Sequence, residues 1–370
     1  MTSKNRSWQN FDFDEYTRES EPHKKAKSYA WQTAIGLQAV DGLKPSEYLI
    51  QTAKKNIDGD ISIKEAQQLI SKYYESKTDH DSDKDDTEEA DKVASHIAQI
   101  LSERAFNFSP FYFTGIHKRL FEGVFKHAGE FRKYNITKKE WVLRGDTVLY
   151  SDAGFLKETL DYDFTQEKEF SYKGLNVDEV IKHLCKFISG IWQIHAFGEG
   201  NTRTTAVFTI KYLRTLGFHV TNDAFAKNSW YFRNALVRAN YNNLKNGITA
   251  TAEFLELFFR NLILGETNEL KNRYMLAGAK FPDQQPRLNV KLNVKLNVKL
   301  SGNQKKILSL LKKNSELTVI ALAGKVGISR TAVANNLKKL KTLNLLERIG
   351  SDKSGTWKVL ENGGEQGDSN

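Results

Sequence analysis

Between His195 and Arg203, nine residues supply a proton acceptor, a carboxylate, two glycines, an amide and a guanidinium, with an apolar helical run on either side. Such a set suits a loop that holds a metal-bound polyphosphate against a base. Gly198 and Gly200 let the backbone approach an anion closely and turn N–H groups toward it. Glu199 is a hard oxygen ligand of the kind Mg2+ takes beside phosphate oxygens. Asn201 can donate to a phosphoryl oxygen, and Arg203 carries a fork that fits phosphate. His195, at the other end, is placed to take a proton from an incoming hydroxyl. A glycine-rich helix–helix turn with a buried histidine would use the same residues for packing alone.

Two helices must position this loop. Val177, Ile181, Leu184, Ile188 and Ile191 recur at helical spacing over 177–194 and lead into His195. Thr204 to Leu216 reads as a second helix, with Val207, Ile210 and Leu213 on one face and Gly217 as its stop. The N-terminus of that second helix would aim free N–H groups and partial positive charge at the same anion.

The loop resembles the signature of the Fic (Fic/Doc) family, whose members transfer a nucleotide, usually AMP from ATP, to a protein hydroxyl. His195, Phe197, Glu199, Gly200, Asn201 and Arg203 match that pattern position for position. Ala196 replaces a proline, Thr202 replaces a glycine while keeping its backbone N–H, and Ala206 replaces the last arginine of the pattern. In the family that arginine holds the γ-phosphate and pairs with an inhibitory glutamate, so both roles need another residue here.

The resemblance implies further parts. His117 to Arg132 looks like the family's first core helix and its exit. Tyr134 to Tyr150 alternates around Gly145 and Asp146, a β-hairpin signal. A family flap at this point covers the nucleotide and pairs with the target backbone, with Ile136, Thr137, Lys138 and Lys139 as the docking strand. A surface hairpin without ligand contact fits the same pattern. Trp230 to Asn240 resembles the helix that closes the adenine pocket, where Phe232 would stack on the base and Asn240 bond to it; Phe232 is equally suited to the core. The implied ATP-binding residues are thus Gly198, Gly200, Asn201, Thr202, Arg203, Thr204, Phe232 and Asn240. His195 is the implied base and Glu199 the Mg2+ ligand. Ala34 to Ser46 resembles the small antitoxin helix of some Fic toxins, with Asp41 and Gly42 in the place of an inhibitory Glu-Gly pair. Asp41 is the inhibitory candidate, with Arg203 as its partner; a plain helix end is the alternative.

At 370 residues the chain is too long for one compact core. The boundaries expected are a helical antitoxin-like segment over 1–78, a Fic domain over 79–270, a linker over 271–300, a winged helix-turn-helix over 301–362 and a disordered tail over 363–370. Ser62 and Glu65 form a capping box at the third leader helix, and the acidic run 79–91 reads as a solvated connector and helix start. The lone Cys185 excludes a disulfide framework. No stretch is long and apolar enough to cross a bilayer and the start lacks a signal peptide's apolar region, so a cytoplasmic location and no membrane partner are expected.

The formal net charge is +10, and residues 299–360 alone hold 13 Lys/Arg against 3 Asp/Glu. In that stretch Leu317 to Val326, Gly327 and a helix capped by Ser329 form a helix-turn-helix pattern, with a β wing over 344–359. Arg330, Asn335, Asn336, Lys338 and Lys339 are the candidate DNA contacts; a module for homodimerisation or docking is the alternative. Residues 288–300 repeat Leu-Asn-Val-Lys with strand alternation.

The fold class expected is mainly α: a Fic-type helical core with a β-hairpin flap, plus a C-terminal winged helix. The function expected is protein adenylylation, AMP passing from ATP to a Ser, Thr or Tyr hydroxyl of a protein target or of the chain itself. The alternatives are a DNA-binding regulator with a weakened Fic domain, or a Fic enzyme with another nucleotide or phosphate donor.

Overall fold

The computed structural model describes residues 22–76, 82–218, 220, 223–278, 302–342, 346–349 and 356–359. These residues form two compact units, a large helical one and a small C-terminal one. The Leu-Asn-Val-Lys repeat and the tail lie outside the described residues.

The large unit opens with α1 (Pro22–Leu37), α2 (Glu47–Asp58), α3 (Ile63–Glu75) and α4 (Ser82–Ser102). Helix α1 tightens into a 3-10 turn over Gln38–Asp41, closed by Gly42 at φ 78°. That conformation is the left-handed cap which glycine adopts without strain. Ser46 caps α2, and the expected Ser62–Glu65 capping box opens α3 with both of its bonds present. Gly36 lets α1 approach the next layer closely, since a Cβ there would lie 2.2 Å from the carbonyl oxygen of Ala226.

The acidic run 79–91, which the sequence presents as a solvated connector and helix start, is partly buried within α4. Asp91 is fully buried and accepts bonds from the Ser46 N–H at 2.8 Å, the Ser46 hydroxyl, and the Tyr74 hydroxyl at 2.8 Å. One carboxylate therefore ties the caps and ends of α2 and α3 to α4. Its burial is compensated because its oxygens find donors.

A second set of helices follows as α5 (Pro110–Phe121), α6 (Leu156–Glu169), α7 (Val177–Ile194), α8 (Asn201–Thr215), α9 (Asp223–Ala239) and α10 (Glu253–Leu264). Helix α7 has the expected bounds, and α8 starts three residues before the position read from its apolar face. Phe113, Phe164, Phe187, Phe197, Phe208 and Tyr212 interlock with ring centroids 5.4 to 6.4 Å apart, fixing α5 to α8 around one aromatic core. Cys185 is buried on α7, consistent with a packing role.

Residues 134–153 make the expected hairpin-shaped excursion, but neither arm is a β-strand. The arms meet at the tip through Glu140 N–H to Asp146 C=O at 2.9 Å. Further down they are joined through side chains, Lys138 N–H to Thr147 Oγ1 at 3.3 Å and Asn135 Nδ2 to Asp152 Oδ2 at 2.7 Å. The tip is a 3-10 turn over Trp141–Leu143 followed by Arg144 and Gly145, both at positive φ. Alternation in sequence marked the excursion, while those side-chain bonds take the place of a backbone ladder.

The small unit holds α11 (Gly302–Lys313), α12 (Val319–Val326), α13 (Arg330–Thr342) and an antiparallel pair, β1 (Leu346–Ile349) with β2 (Thr356–Val359). Ile307, Leu311, Leu322, Val326, Val333, Leu337, Leu340, Leu346 and Trp357 form its core. Gly327 makes the turn at φ 79°, and the Ser329 hydroxyl accepts from Ala332 N–H at 3.1 Å as the expected cap of α13.

Candidate active site

The signature residues sit between the end of α7 and the first turn of α8. Helix α7 ends at Ile194, and His195 takes φ 51°, an uncommon backbone state for a residue with a side chain. Gly200 at φ 72° caps α8, and a Cβ on it would lie 2.2 Å from the Phe121 ring, so glycine is required twice over. The N–H groups of Asn201, Thr202 and Arg203 belong to the first turn of α8, where the ladder leaves donors without partners inside the helix.

His195 is 4% exposed, and neither ring nitrogen has a hydrogen-bond partner. Tyr150 lies 4.3 Å from its ring centre and Trp192 5.5 Å. Burial, then the charges of Lys138, Arg132 and Arg233, hold its pKa well below the ordinary histidine value. The ring is therefore neutral near pH 7 and able to accept a proton.

Two residues that the sequence reading did not single out hold this geometry. Buried Arg132 donates from Nε to His195 C=O at 2.7 Å, from Nη1 to Tyr134 C=O at 2.6 Å and from Nη2 to Ser151 C=O. One guanidinium thus grips the strained base residue and the roots of both flap arms. His117 accepts from Gly129 N–H at its Nδ1 over 2.8 Å, which leaves Nε2–H to donate to Glu199 C=O at 3.1 Å. It stacks on Phe197 at 3.7 Å, and burial pushes its pKa down to about 4. Both residues lie in the stretch 117–132 that resembled a core helix and its exit.

Arg203 is 2% exposed and held from three sides. Its Nη2 donates to Glu89 Oε1 at 2.6 Å and its Nη1 to Gln38 Oε1 at 3.1 Å. Its Nε lies 2.8 Å from Asp41 Oδ2, an ion pair in which the N–H is not directed along the contact. The Asp41 contact is the one considered from sequence. Glu89 and Gln38 come from α4 and from the turn after α1. The Phe121 ring lies beneath the guanidinium at 4.8 Å.

Glu199 projects from the loop with its side chain 59% exposed, and Lys138 Nζ of the flap arm lies 3.5 Å from Oε2. Among the four flap candidates, Ile136 and Lys138 are half-buried while Thr137 and Lys139 are exposed, the period of an extended arm with one face inward. A Cβ on Gly198 would lie 3.0 Å from the Tyr134 hydroxyl and 3.6 Å from His127 Nε2, so side chains rim the loop closely at this glycine. Next along the arm, buried Glu140 pairs with Arg233 of α9 at 2.6 Å and 3.1 Å and accepts from the Tyr150 hydroxyl at 3.2 Å.

Three proposed nucleotide contacts have other partners. Asn201 accepts Phe197 N–H at 3.0 Å and donates to Phe197 C=O at 2.7 Å, so its amide closes the loop from within. Phe232 is fully buried between Phe225 and Phe258 at 4.9 Å and 5.0 Å, a core ring with no open face. Asn240 Nδ2 donates to Ser189 C=O and Leu236 C=O, each at 3.0 Å, tying α9 to α7. Thr202 Oγ1 accepts from the Trp192 indole at 2.9 Å, while buried Thr204 Oγ1 has no partner. Ala206, where the family pattern has its last arginine, is fully buried.

On α13, Arg330 and Asn335 are exposed and Asn336 Nδ2 turns back to Ala332 C=O at 2.8 Å. Lys338 and Lys339 lie on the same helix, with side chains outside the described residues.

Residues 107–213 match the model of the Fic/DOC family. The chain carries a Fic domain. Residues 300–347 match a second model, described as winged helix-turn-helix DNA-binding. The protein adenylyltransferase VbhT of Bartonella schoenbuchensis is 29% identical over 108 residues, which are 29% of this chain and 21% of that protein. The chain therefore spans about a fifth of the curated relative it matches. Among solved structures, the N-terminal FIC domain of Bep8 from Bartonella sp. 1-1C aligns at TM-score 0.40 and 17% identity, over 50% of this chain and 88% of that one. A Fic family protein from Desulfovibrio desulfuricans G20 aligns at TM-score 0.42 and 12% identity, over 92% and 89%.

The residues fit a divalent cation in a limited way. Among the described residues no group of three His, Cys, Asp or Glu side chains could hold a metal. In the loop just before the first turn of α8, Glu199 offers an exposed carboxylate that carries no arginine contact among the described residues. One carboxylate plus substrate phosphates and water is the coordination that Mg2+ takes with nucleotides. No helix among the described residues is long and apolar enough to cross a membrane.

Proposed function

We propose that the Fic domain transfers AMP from ATP to a hydroxyl of a protein, and that the contacts on Arg203 restrain it. The observation that carries this reading is His195: a buried, neutral imidazole with both nitrogens unpaired, held at the mouth of α8. A buried polar ring without partners is costly in a folded protein and marks a site where a ligand supplies the bond.

In the reaction, the acceptor oxygen bonds to the α-phosphorus as the bond to the bridging oxygen of pyrophosphate breaks. The acceptor proton passes to the ring of His195. N–H groups of the first turn of α8 and the Arg203 guanidinium, once released, face the charge on the departing pyrophosphate. Mg2+, held through Glu199 and the phosphates, would neutralise part of the same charge. Lys138, 3.5 Å from Glu199, would have to give up that carboxylate for Glu199 to hold the cation.

Arg132 keeps His195 and the flap roots in one arrangement, so the flap that lays a target segment over the loop is registered against the base. Arg203 performs the phosphate task that Ala206 cannot. Asp41 and Glu89 withhold it until the leader segment shifts. The winged helix, with Arg330 and Asn335 exposed on α13, is read as a DNA-binding module that sets where the chain acts.

The experiment is incubation with α-labelled ATP, Mg2+ and a cell lysate. Labelled proteins that vanish with His195→Ala support transfer. DNA retention with steep salt dependence and no labelled protein supports a regulator instead.

A further inference from the structure

The far end of α8 borders a cavity away from the signature loop. It measures about 560 Å3 and opens between α1, the C-terminal end of α4 and the last turn of α8. Lys27, Arg104, Lys211 and Arg214 line it, against Glu103 as its single carboxylate. Glu103 is already held in a fork by Arg119, at 2.8 Å and 2.5 Å. Among the described residues the four cations have no carboxylate of their own: Lys211 Nζ donates to Ile100 C=O at 3.0 Å and Glu103 C=O at 2.8 Å, Arg214 Nη1 to Leu101 C=O at 2.7 Å, and Lys27 Nζ to Asn56 C=O at 2.8 Å. Arg104 has no hydrogen-bond or ion-pair partner among the described residues.

Lys211 and Arg214 satisfy the last carbonyls of α4, a role that two cations fill. Lys27 and Arg104 are beyond that need. Lys211 is 3% exposed, and burial brings its pKa down to about 8, the state of an ammonium short of a counter-charge. Ala26, Tyr29, Phe106 and Val220 give the wall an apolar part, beside the polar His23, Ser102 and Thr215.

We propose that this cavity binds a small organic phosphate with a flat apolar body. The phosphate would meet Arg104, Lys211 and Arg214, and the ring would lie against Tyr29 and Phe106. An occupant would touch α1, which leads into Asp41, and α8, whose first turn carries Arg203. The site thus reaches both sides of the ion pair at the signature loop.

The test is calorimetric titration of the full chain with phenyl phosphate and, separately, inorganic phosphate. Phenyl phosphate should bind one per chain and about tenfold tighter than inorganic phosphate, because only it fills the apolar wall. The variant Arg104→Gln should lose about tenfold in affinity while melting like the parent, its side chain being exposed and making no bond among the described residues. Ala26→Trp, which fills the cavity, should abolish binding. No saturable binding, or binding that ignores both substitutions, overturns the proposal. Neither of them touches the signature loop, so the result stands apart from whether AMP is transferred.

Discussion

Nη2 of Arg203 donates to Oε1 of Glu89 across 2.6 Å, joining the first turn of the signature helix to a helix 114 residues earlier in the chain. With Asp41 on its other edge, the one guanidinium of the signature is held by two carboxylates before any phosphate arrives. A phosphate must displace these partners, since the fork cannot serve both at once.

Release of that guanidinium should be measurable. Glu89→Ala removes a charge-assisted hydrogen bond worth about 1.5–3 kcal/mol, and Asp41→Ala a partly exposed ion pair worth about 1 kcal/mol or less. AMP transfer should therefore rise about tenfold or more in Glu89→Ala, less in Asp41→Ala, and furthest in the double variant. The same variants should melt earlier, because Arg203 stays buried with fewer partners. Transfer at the parental rate in the double variant would contradict the restraint.

Arg132 should act on rate more than on substrate affinity. Arg132→Lys keeps a charge but cannot reach His195, Tyr134 and Ser151 together, so kcat should fall about a hundredfold with KM for ATP within about threefold. Equal losses in both, or none, would remove its positioning role.

Acid should loosen the fold before the carboxylates titrate. His117 falls from the ordinary 6.5 to about 4 through burial, and His96 and His195 are lowered by the same cause. A histidine lowered in this way binds its proton more readily when unfolded. Its stabilisation is complete above pH 6.5 and is lost as pH falls from 6.5 toward 4, about 3 kcal/mol for His117 alone. Urea midpoints should therefore drop between pH 7 and pH 5, and a flat profile there would contradict the burial of these rings. Transfer should stay level down to below pH 6.5 where the protein is folded, because the base is already neutral.

The winged helix gives a separate outcome. Arg330→Ala should weaken retention on DNA and lower the salt slope by about 1, without changing AMP transfer. Retention insensitive to salt and to this substitution would leave the module to protein contacts.

Local rules were legible in the sequence where they acted over a few residues. The stripe from Val177 to Ile191, the Ser62 and Ser329 caps and the spacing from His195 to Arg203 reached the expected elements because each depends on neighbours in the chain. The alternation in 134–150 located the flap, but strands did not follow, since Asn135, Lys138 and Thr147 link the arms through side chains.

What failed depended on distant packing. Glu89 and Asp91 look alike in an acidic run, yet one reaches Arg203 and the other is buried under Ser46 and Tyr74. Phe232 suits an adenine pocket in sequence and lies among core rings in the fold. Arg132 gave a weak signal, a lone arginine after Gly129, whose meaning lies in carbonyls brought together from residues 134, 151 and 195.

The central claim, that His195 drives transfer of the α-phosphoryl nucleotide, has one direct test. The Asp41→Ala, Glu89→Ala protein is incubated with lysate, Mg2+ and ATP labelled either at the α- or at the γ-phosphate. Label should enter protein from the α-position alone and disappear when His195→Ala is added to the same background. Label from the γ-position, or α-label that survives loss of the imidazole, would contradict it.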